Sequence, residues 1–227
     1  MPPKTQTIYG SGAETAKTDL LVAGLDSMSV DYSATQLQML LSYLNMLERW
    51  NKAYNLTAVR DPMQMIPLHL LDSLSLLPHI ETCETIIDVG TGPGLPGIPL
   101  AIMNPGKSFT LLDSNGKKTR FLFQVISELK LNNTTEVNKR VEQYHPALTF
   151  DTVLSRAFSS IPDMLSNCRH LAANETCFMA MKGKNPESEL SQLKKDYMVS
   201  DICRLEVPGV VGERHLVKIK ITAGSNH

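Results

Sequence analysis

Two hydrophobic periodicities divide the chain. Up to about residue 80, apolar positions recur every three or four residues, the spacing of helices that bury one face. Leu37, Leu40, Leu41, Leu44 and Leu47 form one such stripe, and Ser33-Ala34-Thr35-Gln36 ahead of it has the S-x-x-Q form of a capping box. The pattern predicts a helix from there to about Asn51, its stripe spent on packing. Trp50 to Thr57 is expected to be loop. Asp61-Pro62 is a second start signal, a cap residue followed by proline at the first helical position. The helix it opens carries Ile66, Leu70, Leu74 and Leu77 on one face, with Pro67 expected to kink or restart it. His69 and Asp72 stand three apart, hence on one side. They form a local polar pair or contribute to a site.

From residue 85 the pattern changes to short apolar runs alternating with helical stretches. Strands are expected over residues 86–89, 109–113, 135–138, 150–155, 176–181, 202–207 and 215–221. Helices are expected over 97–103, 117–131, 162–171 and 187–196. This alternation predicts an α/β fold, a doubly wound, mostly parallel sheet. The two closing strands, with no helix between them, predict an antiparallel C-terminal pair. Residues 1–30 are expected to be a mobile tail with at most a short helix at Leu20 to Leu25, 31–80 a helical extension, and 81–227 the main domain.

Composition narrows the class. A chain of 227 residues, 42% hydrophobic, suffices for one α/β domain with an appendage. Its net charge of -1 excludes a polycation, so contact with nucleic acid must come from a local basic patch. Cys83, Cys168, Cys177 and Cys203 are scattered without metal-binding spacing and read as reduced, buried thiols of a cytoplasmic protein. No metal is expected, no run is long enough to span a membrane, and a monomer is the expectation.

The densest chemistry lies in Ile86-Ile87-Asp88-Val89-Gly90-Thr91-Gly92-Pro93-Gly94-Leu95-Pro96-Gly97, a strand that ends in an acid and a glycine loop. Such a loop lets backbone turn at positive φ and approach a nucleotide-like ligand closely. Asp113 ends the next strand, where an acid can accept both hydroxyls of a ribose. A dinucleotide and S-adenosylmethionine compete for this loop. Asp88 would repel a pyrophosphate, and Pro93, Pro96 and Pro99 remove N–H donors a phosphate would use. The residues therefore favour S-adenosylmethionine over NAD. A methyltransferase of another substrate, an NAD-dependent oxidoreductase and a non-catalytic RNA-binding factor remain open at this point.

Beyond the loop, Trp50 to Thr57, His69-Leu70-Leu71-Asp72-Ser73, Asp88 to Pro99, Leu112-Asp113-Ser114, Ser155-Arg156-Ala157 and Gly212-Glu213-Arg214-His215 together resemble the glucose-inhibited division protein B family, bacterial 16S ribosomal RNA guanine-N7 methyltransferases. The chain departs from it at Leu68, where many members carry a basic residue. The resemblance, over about residues 30 to 222, implies a class I, Rossmann-like, S-adenosylmethionine-dependent enzyme. The implied reaction methylates N7 of a guanosine in the 530 loop of 16S ribosomal RNA, free or in the 30S subunit. With the strand-end reading, it implies cofactor contacts at Asp88, Gly90, Gly92, Gly94, Leu95, Asp113, Val141, Glu142 and Arg156. It also implies RNA contacts at Lys117, Arg140, Lys182 and Arg214, and a catalytic position for Arg156. Guanine N7 carries no proton, so the reaction needs placement rather than a general base. Lys118, Arg120, Lys139 and Lys184 extend the expected basic rim.

Overall fold

The computed structural model describes residues 12–156, 158, 160–184 and 186–222. Its centre is a seven-stranded sheet in the order β3-β2-β1-β4-β5-β7-β6. The strands are β1 (Thr85–Val89), β2 (Ser108–Asp113), β3 (Thr134–Asn138), β4 (Phe150–Ser155), β5 (Ala172–Lys182), β6 (Tyr197–Arg204) and β7 (His215–Ile221). β1 to β5 pair in parallel, and β7 runs antiparallel between β5 and β6. The expected antiparallel pair is therefore inserted into the sheet, with the last strand inside and β6 on the edge. The strand order reverses between β1 and β4, which opens a crevice beyond their carboxyl ends.

The helices are α1 (Gly12–Ser27), α2 (Ala34–Tyr54), α3 (Pro62–Met65), α4 (Asp72–Leu74), α5 (Gly97–Met103), α6 (Gly116–Leu129), α7 (Ile161–Cys168) and the single turn α8 (Glu187–Leu190). The capping box is complete: Ser33 Oγ accepts from the Gln36 N–H, and Gln36 Oε1 accepts from the Ser33 N–H. The Gln36 amide also donates to the carbonyls of Ile102 and Met103, tying α2 to the end of α5. The leucine stripe of α2 is buried, with Leu40, Leu44 and Leu47 fully so. It joins α1, α3, Leu95, Ile98, Phe121, Leu122 and Val125 in one cluster. The N-terminal helices thus share a core with the helices on one side of the sheet. A second cluster fills the other side beneath α7.

Five expectations change. A helix starts at Gly12, well before Leu20; Met1 to Ser11 lie outside the described residues. α2 continues through Trp50 to Tyr54 because Trp50 packs on Phe121 with ring centroids 5.5 Å apart, and Asn55 then turns left-handed at φ 51°. The expected helix at 187–196 stops at Leu190. The strand expected at 202–207 runs instead from Tyr197 to Arg204, an edge strand whose pairing with β7 shifts register between Val199 and Asp201 and so interrupts its alternation. Pro67 neither breaks nor ends its helix. The stretch Ile66–Leu71 widens into a π-turn joining α3 to α4, a form that accommodates a residue without an N–H and recurs at functional sites.

Candidate active site

The glycine loop is built from beneath. Thr91 Oγ1 donates to Asp88 Oδ2 at 2.6 Å, and the Gly97 N–H donates to the same oxygen at 2.9 Å. Burial pushes this carboxyl up to about 6, against the pull of those donors and of Arg156. Its Oδ1 has no hydrogen-bond partner among the described residues. Asp88 therefore braces the loop from behind, and it does not line the cavity in front. From above, the fully buried Tyr43 of α2 donates its hydroxyl to the Pro93 carbonyl at 3.0 Å. Gly90 and Gly92 turn at φ 69° and 63°. At Gly92 an added Cβ would meet only Lys118 Nζ, 3.8 Å away, so the loop's outer surface is open for a ligand to approach the backbone.

That surface borders a cavity of about 450 Å³ at the switch point, lined by Val89, Gly90, Leu112, Asp113, Glu142 and Phe158 among others. Asp113 Oδ2 accepts from the Gly92 N–H at 2.9 Å and Oδ1 from the Asn115 N–H at 2.8 Å. The carboxylate is thereby fixed at the cavity wall with lone pairs still free, and Lys118 Nζ stands 3.8 Å from it. Apolar walls at Leu112, Val141 and Phe158, a fixed carboxylate and polar groups at Ser114 and Asn115 fit an adenosine: a flat base, a diol and an amino edge.

Of the residues expected to contact a cofactor, Gly90, Asp113, Val141 and Glu142 line this cavity and Gly92 borders it. Gly94 and Leu95 do not. A Cβ at Gly94 would run into Ile98, and Leu95 is buried in the α2 core, so both serve packing behind the loop. Arg140, expected on the RNA side, lines this same cavity, while Lys117 lies exposed at the start of α6. Leu112, Ser114, Asn115 and Phe158 were not expected to line it, and Lys118 and Lys139, expected on the basic rim, line this cavity as well. Asn115 had a local signal, since an Asn two residues after a strand-end acid is a natural helix cap; its side chain accepts from the Lys117 N–H.

Arg156 opens onto a second cavity, about 390 Å³, with Val59, His69, Asp72, Lys182 and Arg214. Asp72, at the start of α4 and almost fully buried, holds two guanidinium groups. Its Oδ2 accepts from Arg156 Nη1 at 2.9 Å and its Oδ1 from Arg214 Nε at 3.1 Å. Each arginine keeps more than a quarter of its side chain exposed, leaving N–H donors free toward the cavity. Lys182 pairs with Glu189 at 2.8 Å. The His69 ring completes the wall. Its Nδ1 lies 3.0 Å from the Leu68 carbonyl and its Nε2 2.8 Å from Thr57 Oγ1. These partners assign the proton to Nδ1, with Thr57 donating to Nε2. Burial pushes His69 down to about 4, so the ring is neutral near pH 7. Asn51 shapes the loop that brings Thr57 here, donating to the Val59 carbonyl and accepting from the Thr57 N–H. The motif residues around 51–57, 69–72, 155–156 and 212–215 thus converge; Ala157 lies outside the described residues.

Comparison with known proteins agrees with this geometry. A family model described as "GidB: rRNA small subunit methyltransferase G" matches residues 36–217. A protein from Alteromonas mediterranea named "Ribosomal RNA small subunit methyltransferase G" is 52% identical over 201 residues, spanning 88% of this chain and 95% of that one. A protein of the same name from Pseudomonas aeruginosa is 52% identical over 205 residues, spanning 90% and 96%. Among solved structures, the N-methyltransferase NodS from Bradyrhizobium japonicum in complex with S-adenosyl-L-homocysteine has a TM-score of 0.55 at 11% identity, covering 79% of this chain and 100% of that one. That likeness is one of fold.

Proposed function

Since this chain belongs to the rRNA small subunit methyltransferase G family, a methyltransferase family that uses S-adenosylmethionine, we propose that it methylates N7 of one guanosine in the 530 loop of 16S ribosomal RNA. The observation that carries this reading is a pair of cavities, both lined by residues at the carboxyl ends of the parallel strands. One fits an adenosine; the other presents two arginines fixed by a single buried carboxylate. A cytoplasmic protein acting on RNA or on the 30S subunit is the setting it implies.

S-adenosylmethionine, when bound, supplies a methyl carbon made electrophilic by its sulfonium. Asp113 would hold the ribose diol and the backbone of Gly90 and Gly92 the amino-acid end, with Leu112 and Val141 flanking the adenine. Guanine N7 offers an in-plane lone pair and no proton, so none of this chain's residues is needed as a general base. His69 is a poor base in any case, since burial pushes it down to about 4 and its Nε2 already meets the Thr57 hydroxyl. What the chain supplies is placement. Asp72 sets the planes of Arg156 and Arg214, whose remaining N–H groups can donate to guanine O6 or a flanking phosphate. Arg156 donating to O6 would leave the N7 lone pair free. Lys117 would track the RNA backbone outside the site.

The experiment is incubation with labelled S-adenosylmethionine and, separately, 30S subunits, protein-free rRNA and bulk protein. Borohydride–aniline cleavage then maps N7-methylguanosine. Label at one guanosine of the 530 loop is expected. Label in protein, or on a different base atom, overturns the reading.

A further inference from the structure

We propose that Val211, at the tip of the loop between β6 and β7, is a wedge that enters the RNA base stack and occupies the gap left when the target nucleotide is drawn into the Arg156–Arg214 cavity. This rests on the RNA reading above.

Enzymes that do chemistry on a base within a protein pocket draw it out of its stack, and a guanosine methylated in this crevice is extruded in the same way. Extrusion leaves a gap between neighbouring bases. Proteins that open base stacks commonly insert a compact apolar side chain there. Val211 has that chemistry and placement. It is 98% exposed, with nothing of its own fold covering it. An isolated exposed valine would mean little. What sets this one apart is its mounting.

The loop is closed at its base by the Leu205 N–H donating to the Arg214 carbonyl at 2.8 Å. On one side of the tip Gly209, at φ 77°, sits against Pro67 of the π-turn; a Cβ there would lie 3.2 Å from the proline ring. On the other side Arg214 is pinned to Asp72. Both anchors belong to the one helical stretch that also supplies His69 to the cavity wall. Gly212, at φ 103°, turns the chain between tip and anchor. Val211 is thus held three residues from a guanidinium lining the cavity. A β-branched side chain loses little conformational freedom on insertion. The adjacent side chain is the half-buried Val210, Glu213 beyond Gly212 is an acid, and no cation lies between Gly209 and Gly212. Such a tip is unsuited to following phosphates and suited to meeting bases.

The test uses the full-length protein and 30S subunits lacking the methyl group. Extrusion is read by kethoxal probing of guanosine Watson–Crick edges in the particle bound without cofactor, and the chemical step by single-turnover methylation. Wild type is expected to change the reactivity of the target guanosine. Val211→Gly should leave it as in the free particle and slow single-turnover methylation about tenfold, the worth of one lost apolar contact. Val211→Leu should restore both, and Val211→Ser neither. Since the side chain touches nothing in the protein, a fold defect is not expected, and circular dichroism with cofactor titration checks this. A Val211→Gly protein that matches an active wild type in both readouts overturns the wedge alone. Wild-type protein that methylates no guanosine of the particle overturns the functional reading, and the wedge with it.

Discussion

The two cavities are made in opposite ways. The cofactor cavity is largely local. Asp88, Gly90, Gly92, Asp113 and Asn115 follow one another within two strand–loop–helix units, and its hydrogen bonds run mostly from backbone N–H groups to the acids at strand ends, with the Thr91 hydroxyl added. The second cavity is assembled from afar. Thr57, His69, Asp72, Arg156 and Arg214 come from four separated stretches, knit by side chains. A backbone-built site tolerates a change at its rim, because the glycine geometry survives it. A site knit through one carboxylate should respond as a unit. The difference predicts which substitutions spare one function and abolish the other.

The largest effect should come from Arg156→Ala. Loss of a donor that positions the base is expected to lower single-turnover methylation by roughly 10³-fold, while cofactor affinity, measured by calorimetry, stays within about twofold. A parallel loss of cofactor binding would erase the separation between the cavities.

Next is pH. The folded His69 takes up its proton at about 4 against 6.5 for the free side chain. A depressed histidine stabilises the fold above 6.5 and loses that contribution as pH falls from 6.5 toward 4. Wild-type stability relative to His69→Gln should therefore drop by up to about 3 kcal/mol across that window. Urea unfolding at pH 7.5, 5.5 and 4.5 checks it, and a constant difference would mean the histidine is not held neutral.

Asp113→Ala comes third. Removing a fixed carboxylate that accepts two hydroxyls should weaken cofactor binding about 100-fold, at roughly 1–1.5 kcal/mol per bond. Binding to 30S subunits should change little. The smallest effect is reserved for the rim. Lys117→Ala should reduce RNA affinity only a few-fold and lower the slope of log K against log salt by about one, with single-turnover rate at saturation unaltered.

The same contrast explains what the sequence disclosed. Ser33 and Gln36 predicted their helix because a cap is decided within four residues. Asp113 was legible because its spacing from the loop is a consequence of one strand–helix–strand unit. Asp88 was legible as important but not in its role. Whether an acid at a strand end faces a ligand or braces a loop depends on where Thr91 Oγ1 and the Gly97 N–H stand, and that is settled by packing. The pairing of Asp72 with two arginines 84 and 142 residues away has no local trace. Only the family resemblance drew attention to these residues together, and it gave no partner for any of them. Tyr43 was hidden more thoroughly: its ring lies in the helix core like any other apolar residue, while its hydroxyl steadies the Pro93 carbonyl.

One consequence of the sheet order concerns the newly made chain. β7 is the last of the seven strands to be synthesised, yet it lies between β5 and β6. Until it emerges, β5 has a bare edge and β6 has no neighbour. Arg214 immediately precedes it, so the second guanidinium cannot reach Asp72 until that strand has threaded into place. A chain cut before His215 would retain the whole glycine loop and yet never complete the neighbouring cavity. Emergence of the seventh strand is thus a condition for assembling the second cavity.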